Sequence, residues 1–109
     1  MNPLKARLAA GETIRAAWAG LGSPDVAEIM VRHGWPVVVI DGEHGIGDIE
    51  NWVAMARAVE AAGGEAILRV PEGSDALLKR VLDRGFRSII VPMVNSAQEA
   101  ARIAAACRY

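Results

Sequence analysis

Four short apolar runs, each closed by glycine or proline and followed by a capped amphipathic segment, divide this chain into repeating units. The run Val37 to Ile40 is the clearest. Its four β-branched residues, led in by Gly34 and Pro36, read as a strand covered on both faces. The first strand is Thr13 to Ala19, ending in Gly20-Leu21-Gly22. Ala66 to Val70 is the third, stopped by Pro71, and Ser88 to Val91 is the fourth, stopped by Pro92. Helical patterns lie between them. Ser23 caps the first, with Pro24 at the first helical position and Asp25 in the first turn. Val26, Ile29, Met30 and His33 keep helical spacing up to Gly34. Asp48 caps a second helix with Ile49, Trp52, Val53 and Ala56 on its apolar face, closed by Gly63-Gly64. Ser74 caps a third, with Leu77, Leu78, Val81 and Leu82 inward and Gly85 at its end. Ser96-Ala97-Gln98-Glu99 is a capping box opening a last helix with Ala100, Ile103, Ala104 and Cys107 on one face. Lys5 and Lys79 fall on helical segments.

Such alternation implies parallel strands joined by right-handed crossovers. The expected fold class is therefore α/β: parallel βα units, four strands and four to five helices, in one partial domain over 1–109. A net charge of -1 argues against a nucleic-acid partner, which needs a basic face. No apolar stretch is long enough to cross a bilayer, and residues 1–10 lack the apolar core of a signal peptide. A single cysteine, Cys107, allows no internal disulfide and fits a reducing cytoplasm. With two histidines and no cysteine cluster, a structural zinc site is not expected.

Parallel strands all point one way, so residues at their carboxyl ends share a rim, where α/β folds place their chemistry. This rim collects Gly20, Gly22 and Ser23, then Asp41, Glu43 and His44, then Arg69, then Pro92 to Asn95. The opposite rim, near Gly34, Gly64 and Gly85, is poor in reactive groups. Arg69 shares a strand face with Ile67. There it either offers fixed positive charge to a carboxylate or enolate oxygen, or pairs with Asp41 or Glu43 as a structural bridge. His44 is a candidate general base, because imidazole titrates near neutrality, and Asp41 three residues before it is a candidate to orient its ring; the alternative is a loop histidine without a role. Glu43 can approach a metal or its bound water, or be a solvated loop acid. His33 reads as a helix C-terminal histidine. Trp18, Trp35 and Trp52 read as packing residues and Cys107 as a small buried hydrophobe. Gly20-Leu21-Gly22-Ser23 before a helix is a weak anion-binding signal, with no Walker lysine and no dinucleotide spacing.

Asp41-Gly42-Glu43-His44, then Leu68-Arg69-Val70-Pro71, then Val91-Pro92-Met93-Val94-Asn95 together resemble the HpcH/HpaI aldolase/citrate lyase family. Gly20-Leu21-Gly22-Ser23-Pro24 and Ala105-Ala106-Cys107-Arg108-Tyr109 fit the same family. The resemblance implies a (β/α)8 TIM barrel and a divalent metal: Mg²⁺, Mn²⁺ or Co²⁺. It implies reversible cleavage of a 4-hydroxy-2-oxo acid to pyruvate and an aldehyde. By the same resemblance His44, with Asp41, moves protons; Arg69 steadies the enolate oxygen; and Glu43 lies near the metal and its waters. Gly22 and Ser23, on the rim by topology, are substrate-rim candidates.

In the family the direct metal ligands, a Glu and an Asp, lie on later strands, beyond the point where this chain ends. A complete barrel takes about 250 residues, so four βα units are half of one. The expectation is an N-terminal half, inactive alone, whose open edges favour a homo-oligomer or a complementary half-barrel. Two other readings stand beside it: a non-enzymatic α/β binding or assembly module, and a citrate-lyase-type acyl lyase acting on CoA thioesters.

Overall fold

A computed structural model describes residues 2–108; Met1, and Tyr109 of the C-terminal motif, lie outside the described residues. Helices and strands alternate throughout: α1 (Pro3–Ala9), β1 (Ala16–Ala19), α2 (Pro24–Arg32), β2 (Val37–Asp41), α3 (Ile49–Ala61), β3 (Glu65–Arg69), α4 (Asp75–Asp83), β4 (Ile89–Ile90) and α5 (Ala97–Ala106). The strands form one parallel sheet in the order β1-β2-β3-β4. Every helix starts on a side-chain cap. Asn2, Ser23, Asp48, Ser74 and Ser96 each accept a backbone N–H of the first turn. Each cap satisfies a donor that the helix itself leaves without a partner.

Residues of α2 to α5 pack in one cluster against Val38, Ile40, Leu68 and Val70. The strongest contributors are Trp52, Met55, Val59, Leu78, Val81 and Phe86, all buried. Side chains alternate along a strand, so Val37, Val39 and Asp41 project from the opposite, inner face. That face carries α1 at its lower end. Leu4 is buried there, and Asn2 Nδ2 donates to the Arg87 carbonyl at 2.9 Å and to Ser88 Oγ at 3.1 Å.

Strand bounds differ from the sequence reading for reasons of pairing. β1 begins at Ala16, not Thr13, because Ala16 is the register partner of Val37, the first residue of β2. Residues before Ala16 meet no partner strand. β2 runs one residue further, through Asp41, whose register partner is Arg69. β3 is Glu65–Arg69 rather than Ala66–Val70, and β4 shrinks from four residues to Ile89–Ile90. In α2 the buried residue is Ala27, whereas Ile29 is half-exposed. His33 is the C-cap of α2, exposed, with Nδ1 2.9 Å from the Ile29 carbonyl oxygen.

Candidate active site

The carboxyl ends of β1, β2 and β3 bring Trp18, Asp41, Glu43 and Arg69 into one connected cluster. Asp41 is at its centre and is only 7% exposed. Arg69 grips it side-on: Nε lies 3.1 Å from Oδ1 and Nη2 lies 2.7 Å from Oδ2. The remaining terminal nitrogen, Nη1, lies 3.3 Å from Glu43 Oε1. Trp18 closes the group. Its indole N–H donates to Asp41 Oδ2 at 3.0 Å, and the Arg69 guanidinium carbon sits 4.9 Å from its ring centroid. The backbone N–H groups of Glu43 and His44 both donate to Asp41 Oδ1 at 3.0 Å.

This geometry fixes the charge states. The Arg69 hydrogen bond, helped by the N–H groups of His44, Trp18 and Glu43, outweighs burial and holds the Asp41 carboxyl well below the usual carboxylate range. In return the Asp41 hydrogen bond raises Arg69 above its ordinary value against the opposing effect of burial, and the charges of Asp41 and Glu43 add to it.

Of the two sequence readings of Arg69, the structural bridge is present: it pairs with both carboxylates. The guanidinium still lies at the rim, on the inner face. The expected orienting of the His44 ring by Asp41 is not what the geometry gives. Asp41 accepts five hydrogen bonds on two oxygens, which offer about four lone-pair sites, so no capacity is left for the imidazole. It fixes the backbone of His44 instead. The ring is 75% exposed, and its Nε2 lies 3.6 Å from Glu43 Oε1. Asp41 is also buried, although it stands at the rim.

Two neighbouring loops are knitted below His44. The Ile46 N–H donates to the Gly20 carbonyl at 3.0 Å, and Asn51 Nδ2 donates to the Gly22 carbonyl at 2.7 Å. Gly22 has φ +69, and a Cβ there would stand 2.6 Å from the Ile46 carbonyl oxygen. Gly42 is equally constrained: a Cβ would stand 2.7 Å from the Arg69 carbonyl oxygen and 2.9 Å from the Trp52 ring. At the two substrate-rim candidates, the Gly22 carbonyl receives Asn51 and the Ser23 hydroxyl caps the Val26 N–H at 3.2 Å. On the fourth loop Met93 has φ 57 and is 76% exposed.

Trp18 is the residue that the sequence reading missed. Composition alone reads it as a packing tryptophan, yet it is 50% exposed and touches both Asp41 and Arg69. Strand alternation carried the signal. Ala19 belongs to the helix-covered core, so Trp18 faces the side of Asp41 and Arg69. Among the described residues no group of three or more His, Cys, Asp or Glu side chains could hold a metal ion.

The profile of the HpcH/HpaI aldolase/citrate lyase family matches residues 15–109. The chain belongs to this family. Among HpcH/HpaI-related proteins, a 4-hydroxy-2-oxovalerate aldolase from Novosphingobium aromaticivorans is 42% identical over 100% of this chain and 42% of its own length. A hydroxypyruvate/pyruvate aldolase from Roseovarius nubinhibens is 35% identical over 99% of this chain and 42% of its own length. The crystal structure of an HpcH/HpaI family protein from Burkholderia cenocepacia J2315 superposes with a TM-score of 0.94, at 33% identity, over 100% of this chain and 44% of that one. The chain thus spans less than half the length of its HpcH/HpaI relatives. Its four sequential parallel strands, with helices on the outer face, are the architecture of half a (β/α)8 barrel.

Proposed function

We propose that this chain supplies the N-terminal half of a pyruvate-type aldolase, a carbon–carbon lyase that cleaves 4-hydroxy-2-oxo acids to pyruvate and an aldehyde. The observation that carries the reading is the Arg69 guanidinium, held at the rim by Asp41 and Glu43, in a chain of an aldolase family. In cleavage the 4-hydroxyl loses its proton, the C3–C4 bond breaks, and its electron pair passes into the enolate of pyruvate. C3 is then protonated. Arg69 sets fixed positive charge beside the enolate oxygen. The exposed ring of His44, beside Glu43, exchanges protons with the substrate.

A divalent ion (Mg²⁺, Mn²⁺ or Co²⁺) belongs to this reading, but the described donors do not form a site for it by themselves. Glu43 has its carboxylate committed to Arg69 and suits an outer position, reached through water. The direct ligands belong to a C-terminal half. When bound, the ion supplies Lewis acidity to the 2-oxo group. On this reading the chain alone does not turn over, and it works in a homo-oligomer or with a complementary half-barrel.

Deuterium exchange into the methyl group of pyruvate, with Mn²⁺ or Mg²⁺, tests the proposal. No exchange is expected from this chain alone, and exchange is expected once a C-terminal half of a relative is added. In that complemented barrel, His44→Ala should slow exchange by roughly 10²- to 10⁴-fold. Exchange by the chain alone overturns the claim of inactivity. A complemented barrel without exchange, or one indifferent to His44→Ala, overturns the assignment.

A further inference from the structure

We propose that Trp18 is a positioning residue for Arg69, fixing the tilt of its guanidinium through one face contact and one hydrogen bond to the shared carboxylate. The inference rests on the reading of Arg69 as the group that faces the enolate. The two carboxylates approach the guanidinium through its nitrogens: Asp41 takes Nε and Nη2, and Glu43 takes Nη1. Such contacts act along the N–H directions, which lie in the guanidinium plane, and they set how far the fork is turned within that plane. They resist rocking of the plane out of register only weakly. A group stacked against one face supplies that missing restraint. Trp18 is that group, 4.9 Å from ring centroid to guanidinium carbon.

Its indole N–H is tied to Asp41 Oδ2, the same oxygen that receives Arg69 Nη2. The ring is therefore held in place by the carboxylate that also holds the arginine. Register supports the arrangement. Trp18 pairs with Val39, two residues before Asp41 and on the same face, so the indole rises from the layer beneath the ion pair. Its polar edge is turned to a buried carboxylate, which a side chain kept for packing alone does not require.

The test is nitrogen-detected NMR of the Arg69 side chain in this chain as it stands. A restrained guanidinium rotates slowly about its Cζ–N bonds and gives distinct Nη signals. Trp18→Leu removes both contacts and should make that rotation roughly fivefold faster or more, collapsing the signals. Trp18→Phe keeps a ring face and loses the N–H. It should keep part of the restraint and shift the Arg69 Nε–H resonance. Trp35→Leu, at the other half-exposed tryptophan, should leave Arg69 unchanged. Unchanged Arg69 signals in a folded Trp18→Leu variant overturn the proposal. If that variant fails to fold, unchanged Arg69 rotation and Nε–H resonance in Trp18→Phe overturn it. An Arg69 that loosens as expected, in a complemented barrel that never exchanges pyruvate protons, keeps the positioning role and sinks the aldolase reading instead.

Discussion

At Asp41 the structure turns a strand end into an electrostatic anchor. Five donors converge on its two oxygens, and the Arg69 bond dominates. The pH dependence follows with a definite sign. The folded-state pKa is depressed, so the unfolded chain takes up the proton first as pH falls. The stabilisation is fully present above the unfolded value of about 3.9 and is lost as pH falls through the folded value. Denaturation midpoints measured between about pH 2 and 6 should drop steeply on the acid side, and Asp41→Asn should flatten that limb. Above about pH 5 the group should add no slope. The His44 ring is mostly in solvent. His44→Ala should change stability by less than about 0.5 kcal/mol in urea titrations, which separates its proposed chemistry from any structural role. Gly22→Ala, by contrast, meets both a positive φ and the Ile46 carbonyl, and should cost about 1–3 kcal/mol by the same measurement. Asp41, Glu43 and Arg69 were legible in the sequence as rim residues because their types and strand-end positions announce them. Their mutual bonding was not. Which alternative Arg69 takes depends on the β2–β3 register, a tertiary fact that no local pattern encodes.

The helices were the easiest elements to read, and the caps explain why. Serine, asparagine or aspartate at a helix start is a local signal, set by the chain's own first turn and little affected by the neighbours. Ser23, Asp48, Ser74 and Ser96 all cap as expected. Ser96→Ala should therefore lower stability by about 1 kcal/mol, with the loss confined to α5 in hydrogen exchange. Strand ends were harder. Where β1 and β4 stop is decided by partners, and each has only one neighbouring strand in the sheet. β4 survives as two residues although its sequence offers four. Faces were harder still on short helices. In α2 the small Ala27 is the buried residue while Ile29 points outward. Spacing alone cannot say which edge of an apolar stripe meets the sheet.

At the scale of the molecule, among the described residues, the outer face of the sheet is covered by four helices while the inner face carries only α1 at its lower end. Half-exposed Trp18 and Ile90 lie on that inner face, and β1 and β4 are both open edges. Unpaired edges and apolar surface of this kind favour association. Sedimentation of the purified chain at micromolar concentration should show species larger than a monomer; a monodisperse monomer would count against pairing of half-barrels. Only the fold class and the order of units were readable at this scale. The alternation of patterns sets them, but the closure of a barrel is not contained in four units.

The hydrogen bonds from Asn2 to Arg87 and Ser88 join positions 85 and 86 residues apart. Closing so long a loop is entropically slow compared with pairing neighbouring βα units. Asn2 acts as a latch between α1 and the residues that lead into β4, and Asn2→Ala should hasten exchange of the α1 amides while leaving those of α3 at their original rates.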